Sequence, residues 1–308
     1  MNIKDIDINE AEKTLLPKDM HFDDERRDFI KGLGSSDLLA VPGSGKTTAL
    51  QAKLFCMSRH LPLDKGQGIL VLSHTNNAVN EVKKKLYDEC SPLFEEPHFI
   101  GTVQDFVDKF LAIPYYEQFY KQKVHVIDGM AYEQEVERYL KTSIWKLKKA
   151  TLHLYKKGFN FTDIRIQRTK DGSLKYTRGM NDELSFKPVK KWIQEGTEQQ
   201  KHEEIKGDLK KMKQEIMKKG ILHYDDCYIL ADAYIRKYPF IKKTLRKRFK
   251  YVFIDETQDL KKYQLDLIDS IFDSDECCIQ RIGDKNQTIF NKPDRDIPDQ
   301  WNIRKVKY

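Results

Sequence analysis

The sequence predicts an α/β protein: a parallel sheet flanked by helices, with an inserted, mainly helical subdomain that carries a small hairpin. Three observations predict it. Short apolar runs alternate with helical patterns at both ends of the chain, a glycine-rich turn of phosphate-binding type follows the first run, and the middle switches to apolar residues at helical spacing on a basic background. The 308 residues leave room for about two domains of ~150 residues, each with its own core.

The runs at 37–41, 69–73, 99–102, 124–127, 251–254 and 277–282 each read as a buried strand. Helical patterns at 47–60, 77–90 and 260–272 follow three of them, and such alternation is the signature of a parallel sheet with helices on its faces. In the middle, Val136, Leu140, Ile144 and Leu147 recur at helical spacing, as do Ile205, Leu209, Met212 and Ile216, and Gly220 stands where the second helix should stop. Between these helices, 164–168 and 174–178 flank Asp171-Gly172, a hairpin signal. The expected organisation is therefore one α/β domain from 1–110 and 221–308, interrupted by a basic helical subdomain at 111–220.

Charge follows the same division. Between 141 and 220 there are 21 Lys and Arg against 10 Asp and Glu, a balance of +11, so the net charge of +7 leaves −4 for the remainder. A basic block on a mildly acidic chain suits a polyanion, nucleic acid first; a solvated helical face is the alternative that charge alone leaves open. No apolar run approaches the ~20 residues of a membrane span, and the N-terminus lacks the apolar stretch of a signal peptide, so the expectation is a cytoplasmic chain without membrane contact. Cys56, Cys90, Cys227, Cys277 and Cys278 form no C-x-x-C pair and read as reduced, mostly buried thiols.

The strongest local signal is Ala40-Val41-Pro42-Gly43-Ser44-Gly45-Lys46-Thr47-Thr48, a phosphate-binding loop in which Ala40 stands where the general pattern has Gly. Gly43 and Gly45 let the backbone close around a phosphate while the following helix presents its positive end. Lys46 then reaches the β- and γ-phosphates and the Thr47 hydroxyl binds Mg²⁺, with Pro42, Ser44 and Thr48 completing the cradle. Such a loop needs a second metal-holding carboxylate, and Asp255-Glu256, after the run 251–254, supplies one at the carboxyl end of a strand, where open α/β sheets bind ligands. Asp255 is the expected Mg²⁺ holder and Glu256 the group that orients and deprotonates the attacking water. The two strands are expected side by side.

These residues resemble the motifs of superfamily 1 DNA helicases. Asp255-Glu256-Thr257-Gln258-Asp259 resembles motif II, the segment 69–79 motif Ia, 101–106 motif Ib, His223-Tyr224-Asp225-Asp226 motif Ic, and 283–290 motif III, all in the family's order over most of 22–290. The ending Gln287-Thr288-Ile289-Phe290 and the presence of motif Ic favour the UvrD/Rep/PcrA branch. The resemblance implies a RecA-like P-loop NTPase fold and the ATP- and single-stranded-DNA-binding half of an ATP-dependent 3′→5′ DNA helicase acting at single-strand/duplex junctions. It implies that Gln287 senses the γ-phosphate, that Thr75, Asn76 and Thr102 contact the DNA backbone, and that His74, Tyr224 and Phe290 offer stacking surfaces. Arg26 stands where the family usually has a glutamine that reads adenine, and 291–294 read Asn-Lys-Pro-Asp in place of the family's Trp and Arg. The family also needs a second RecA-like domain, in cis or in trans, with arginines that complete the ATP site. Without it, the expectation is nucleotide binding with feeble turnover and no unwinding. The alternative reading is a nucleotide-gated DNA- or nuclease-binding module of the kind found in anti-phage defence.

Overall fold

A computed structural model describes residues 1–39, 45–169, 171–185, 197–272 and 275–284. By its contacts the chain divides into two units, Met1–Phe106 with Tyr238–Tyr308, and Val107–Lys237. In chain order the first unit contributes α1 (Asp5–Leu15), α2 (Asp24–Lys31), β1 (Ser36–Leu39), α3 (Lys46–Ser58), β2 (Gly68–Ser73), α4 (Asn76–Leu86) and β3 (Phe99–Thr102), and α5 (Val103–Val107) follows. The second unit holds α6 (Ile113–Tyr120), β4 (Val126–Ile127), α7 (Gly129–Thr142), α8 (Lys149–Lys156), β5 (Ile164–Arg168), β6 (Leu174–Arg178), β7 (Asp182–Glu183), α9 (Glu198–Lys218), β8 (Ile221–Leu222) and α10 (Tyr224–Lys237). The chain returns to the first unit with α11 (Phe240–Arg248), β9 (Phe249–Ile254), α12 (Lys262–Phe272) and β10 (Cys278–Gly283).

Five of these strands form one sheet in the order β1-β10-β9-β2-β3, and every pairing in it is parallel. The registers Leu39↔Gly283, Arg281↔Ile254, Leu72↔Ile254 and Ser73↔Thr102 bring all five carboxyl ends to one edge. β2 is buried at every position and β9 at all but one, the continuous apolar pattern of strands covered on both faces. α3 is buried almost all round, whereas α4 buries only Val79, Val82 and Leu86. The core joins these helices to Ile69, Val71, Tyr251, Phe253 and Ile282.

Three expectations need correction. The phosphate-loop strand and the Asp255 strand are not side by side, because β10 stands between β1 and β9. The run at 124–127 does not join the large sheet; its half-buried Val126–Ile127 pairs in parallel with β8 in a separate two-stranded sheet. The helix through Val136 and Leu140 ends at Thr142, so Ile144 lies exposed in a short 3₁₀ turn after Ser143. α1 and α2, unread in the sequence, are stapled by Glu12, whose buried carboxylate accepts from the Phe22 amide at 2.9 Å and from Arg27 at 2.8 Å.

The second unit packs the expected stripes, with Val136 and Leu140 of α7 against Ile205, Leu209, Met212 and Ile216 of α9 in one core. The hairpin forms as read, β5 and β6 pairing from Ile164↔Arg178 to Arg168↔Leu174, with β7 as a third strand. Part of the basic block is internal. Arg165 is buried against Asp225 at 2.9 Å, and Lys213 is buried with its Nζ on Asp226 at 2.6 Å and on the Tyr132 hydroxyl at 2.9 Å. Burial opposes the Lys213 charge, yet Asp226 and Tyr132 hold its pKa above the ordinary lysine value. Lys175 and Arg178 stay exposed on the hairpin. All five cysteines are free thiols, four of them buried. No helix among the described residues is long and apolar enough to cross a membrane.

Removing one partner of a buried ion pair leaves the other uncompensated, at about 3–5 kcal/mol. Lys213→Met is therefore expected to lower stability by that amount in urea unfolding, and the double change Lys213→Met with Asp226→Leu to recover most of it. A single variant within about 1 kcal/mol of the parent contradicts a structural role for the pair.

Candidate functional site

The sheet's carboxyl edge gathers the chemistry. Gly45 caps α3 with φ +77°, a left-handed conformation that suits glycine, and marks the positive, N-terminal end of a thirteen-residue helix. Lys46 is buried, with Nζ 3.8 Å from Asp284 Oδ2 at the end of β10. Thr47 and Thr48 lie half-buried in the first turn. Pro42, Gly43 and Ser44 of the loop, together with Gln287 and Phe290, fall outside the described residues.

Asp255 emerges from β9 with its amide donating to the Leu72 carbonyl at 2.8 Å, and its Oδ1 accepts the Glu256 amide at 3.0 Å. Burial first, and the Glu256 charge second, push the Asp255 carboxyl up to about 7, against the pull of the Glu256 amide and Lys46. Glu256 adopts φ +50°, which turns the chain into the 3₁₀ turn Thr257–Asp259. Gln258 then links two strands: its Nε2 donates to Glu256 Oε2 and its Oε1 accepts the Asp284 amide at 2.9 Å. Neither Gln258 nor Asp284 stood out as a site residue in the sequence. The available signal for Asp284 was the one that marks Asp255, an acid directly after an apolar strand.

A small cleft beside the loop is lined by Asp23, Arg26, Phe29, Leu38, Gly45 and Lys46. Asp23 caps α2 by accepting the Arg26 amide at 2.9 Å and pairs with the Arg26 guanidinium. That guanidinium lies beside Gly45, where a Cβ would stand at ordinary contact distance, 3.9 Å, from its Nε.

The residues expected to touch DNA divide by environment. His74 is half-buried after β2; burial lowers its pKa first of all, with Asp259 opposing and Lys261 reinforcing the shift, which favours a neutral ring. Thr75 caps α4, accepting the Ala78 amide at 3.3 Å, and is exposed beside Asn76. Thr102 is buried in a reciprocal cap: its Oγ1 accepts the Asp105 amide at 3.0 Å and its own amide donates to Asp105 Oδ2 at 2.9 Å. In the second unit, Tyr224 is 43% exposed, with its hydroxyl donating to Asp128 Oδ2 at 3.1 Å.

The Thr47 hydroxyl and the Asp255 carboxylate are too few to cage an ion by themselves and would suit a Mg²⁺ that keeps waters and takes further ligands from phosphates. Lys46, α3's amides and Arg26 provide matching positive charge. A family model described as UvrD/REP helicase N-terminal domain matches residues 24–292. The Bacillus subtilis (strain 168) protein described as "Putative ATP-dependent DNA helicase YjcD" is 24% identical over 265 residues, covering 82% of this chain and 30% of its own length. The chain thus spans less than a third of that relative.

An acid whose pKa rises from 3.8 in the unfolded chain to about 7 in the fold binds a proton on folding between those values, so stability falls as pH rises through that window. At about 1.4 kcal/mol per unit the penalty reaches about 4 kcal/mol above pH 7. Asp255→Asn is expected to raise the melting temperature of the ligand-free protein at pH 8, with the gain shrinking toward pH 4. A gain independent of pH contradicts the assignment.

Proposed function

Because the chain belongs to the UvrD/REP helicase N-terminal domain family, we propose that it is the ATP- and single-stranded-DNA-binding half of a 3′→5′ DNA helicase, completed by a second RecA-like domain. The observation that carries this reading is the convergence of Lys46, Asp255, Glu256 and Asp284 at one edge of a parallel sheet. A triphosphate laid across that edge meets the α3 amides and the Lys46 ammonium, which moves from Asp284 to the phosphate oxygens. Arg26 and Phe29 face the nucleoside side of the same cleft.

Thr47 and Asp255 would hold Mg²⁺, which would neutralise charge on the phosphate oxygens. Glu256, held by Gln258, accepts the proton of the attacking water. The Gln258 contact to the Asp284 amide couples this turn to the strand leading toward Gln287, which we assign to sensing the γ-phosphate. Strand contacts fall to Thr75 and Asn76 at the exposed start of α4, with Thr102 shaping the neighbouring turn. His74, Tyr224 and Phe290 are the proposed stacking surfaces, each stacked base being worth about 1–3 kcal/mol. Turnover awaits arginines from the second domain, a contribution typically worth about 10³–10⁵ in rate.

Lys46→Ala is expected to abolish Mg-ATP binding in equilibrium dialysis, and undiminished binding contradicts the phosphate assignment. In the motor completed by its second domain, Glu256→Gln is expected to keep ATP binding and to lower strand-stimulated turnover by at least about 100-fold. Unchanged turnover removes Glu256 from the base role.

A further inference from the structure

α3 is buried on nearly every face, and Lys53, seven residues after Lys46, points into the interior and is fully buried. Its Nζ lies 2.5 Å from the Phe29 carbonyl, 2.5 Å from the Gly32 carbonyl and 2.8 Å from Gln280 Oε1, and 4.0 Å from the centroid of the Phe29 ring. Three acceptors for three ammonium protons satisfy the group. Gln280, buried on β10, turns its other end to the same place: its Nε2 donates to the carbonyls of Gly32 at 2.9 Å and Gly34 at 2.7 Å.

The contacts join three elements that each deliver something to the cleft. Phe29 and Gly32 belong to the last turn and cap of α2, the helix that carries Arg26 one turn earlier. α3 begins at Lys46, and β10 carries Gln280 and leads directly into Asp284, the acid facing Lys46. Lysine carbonyl bonds at a helix's last turn also complement its negative end. Burying an ammonium is costly, and apolar residues of similar volume generally fill such a space at lower cost. The burial is strong enough to push the Lys53 pKa down to about 7. What an apolar residue lacks is the directional bond to α2.

We propose that Lys53 and Gln280 are a positioning pair for nucleotide binding: they tie the α2 wall bearing Arg26 and Phe29 to the phosphate-loop helix and to the strand that ends at Asp284. The inference rests on the nucleotide reading of the cleft and adds which buried groups set its nucleoside side. Neither residue touches the ligand. Their loss lets α2 shift relative to α3 while leaving the phosphate cradle at the start of α3 intact, so nucleoside recognition suffers more than phosphate recognition.

The test compares Mg-ATP with Mg-tripolyphosphate, which offers the phosphates alone, by titration calorimetry on the full chain. Lys53→Met is expected to weaken ATP at least tenfold while tripolyphosphate stays within about twofold. Gln280→Leu, which keeps the ammonium, should lower the ATP-to-tripolyphosphate preference at least threefold and decides the matter if Lys53→Met does not fold. An unchanged preference in a folded variant, or equal losses for both ligands, overturns the positioning role. If the parent chain binds tripolyphosphate but shows no preference for ATP, the positioning role fails while the phosphate site stands. If it binds neither, the nucleotide reading fails and this inference with it.

Discussion

Asp255 is carried into the interior by β9 and set beside Glu256, and a carboxyl placed there keeps its proton up to about pH 7. Parallel strands make this hard to avoid. Their registers deliver the residues after Ile254 and Gly283 to the same edge, so the acids accumulate while Lys46 is the buried cation that meets them. A ligand bearing both signs, phosphate with a divalent ion, would resolve both halves of the imbalance. The surrounding bonds follow from that arrangement: Gln258 clamps the Asp255 turn to Asp284, and Asp23 holds Arg26 at the mouth of the loop.

Much of this was legible because it depends on local pattern. Apolar runs of strand length with acids at their carboxyl ends announce buried parallel strands, and Gly45-Lys46-Thr47 announces a loop opening a helix. Strand order was not legible: inserting β10 between β1 and β9 changes no local pattern, since adjacency is decided by packing across the sheet. Thr102, expected at the DNA backbone, also has the Thr102-x-x-Asp105 spacing of a helix cap, and its hydroxyl and amide make that cap. α1 and α2 were not legible because charged residues dominate their sequences, although Ile8, Ala11 and Ile30 are fully buried in the core.

Buried cations are the recurring surprise. Lys53, Arg165 and Lys213 look in sequence like surface residues, and Arg165 and Lys213 count toward a basic patch. Each is internal and bonded to carbonyls, carboxylates or a phenol. A signal existed for Lys53, since it alone interrupts the apolar stretch 52–57 and a buried ammonium needs partners inside. For Arg165 and Lys213 the partners, Asp225 and Asp226, lie far along the chain or on another helix, and no spacing points to them. The charge available to a polyanion on the second unit is accordingly smaller than its composition suggests and includes the exposed Lys175 and Arg178 of the hairpin.

The most direct measurement is paramagnetic broadening of backbone amide signals when ATP is added with Mn²⁺ in place of Mg²⁺. If Lys46 and Asp255 hold a metal triphosphate between them, broadening is strongest at 45–48, 255–256 and 284 and weak along α1. Broadening centred on any other part of the first unit, or absent altogether at saturating ATP, contradicts it.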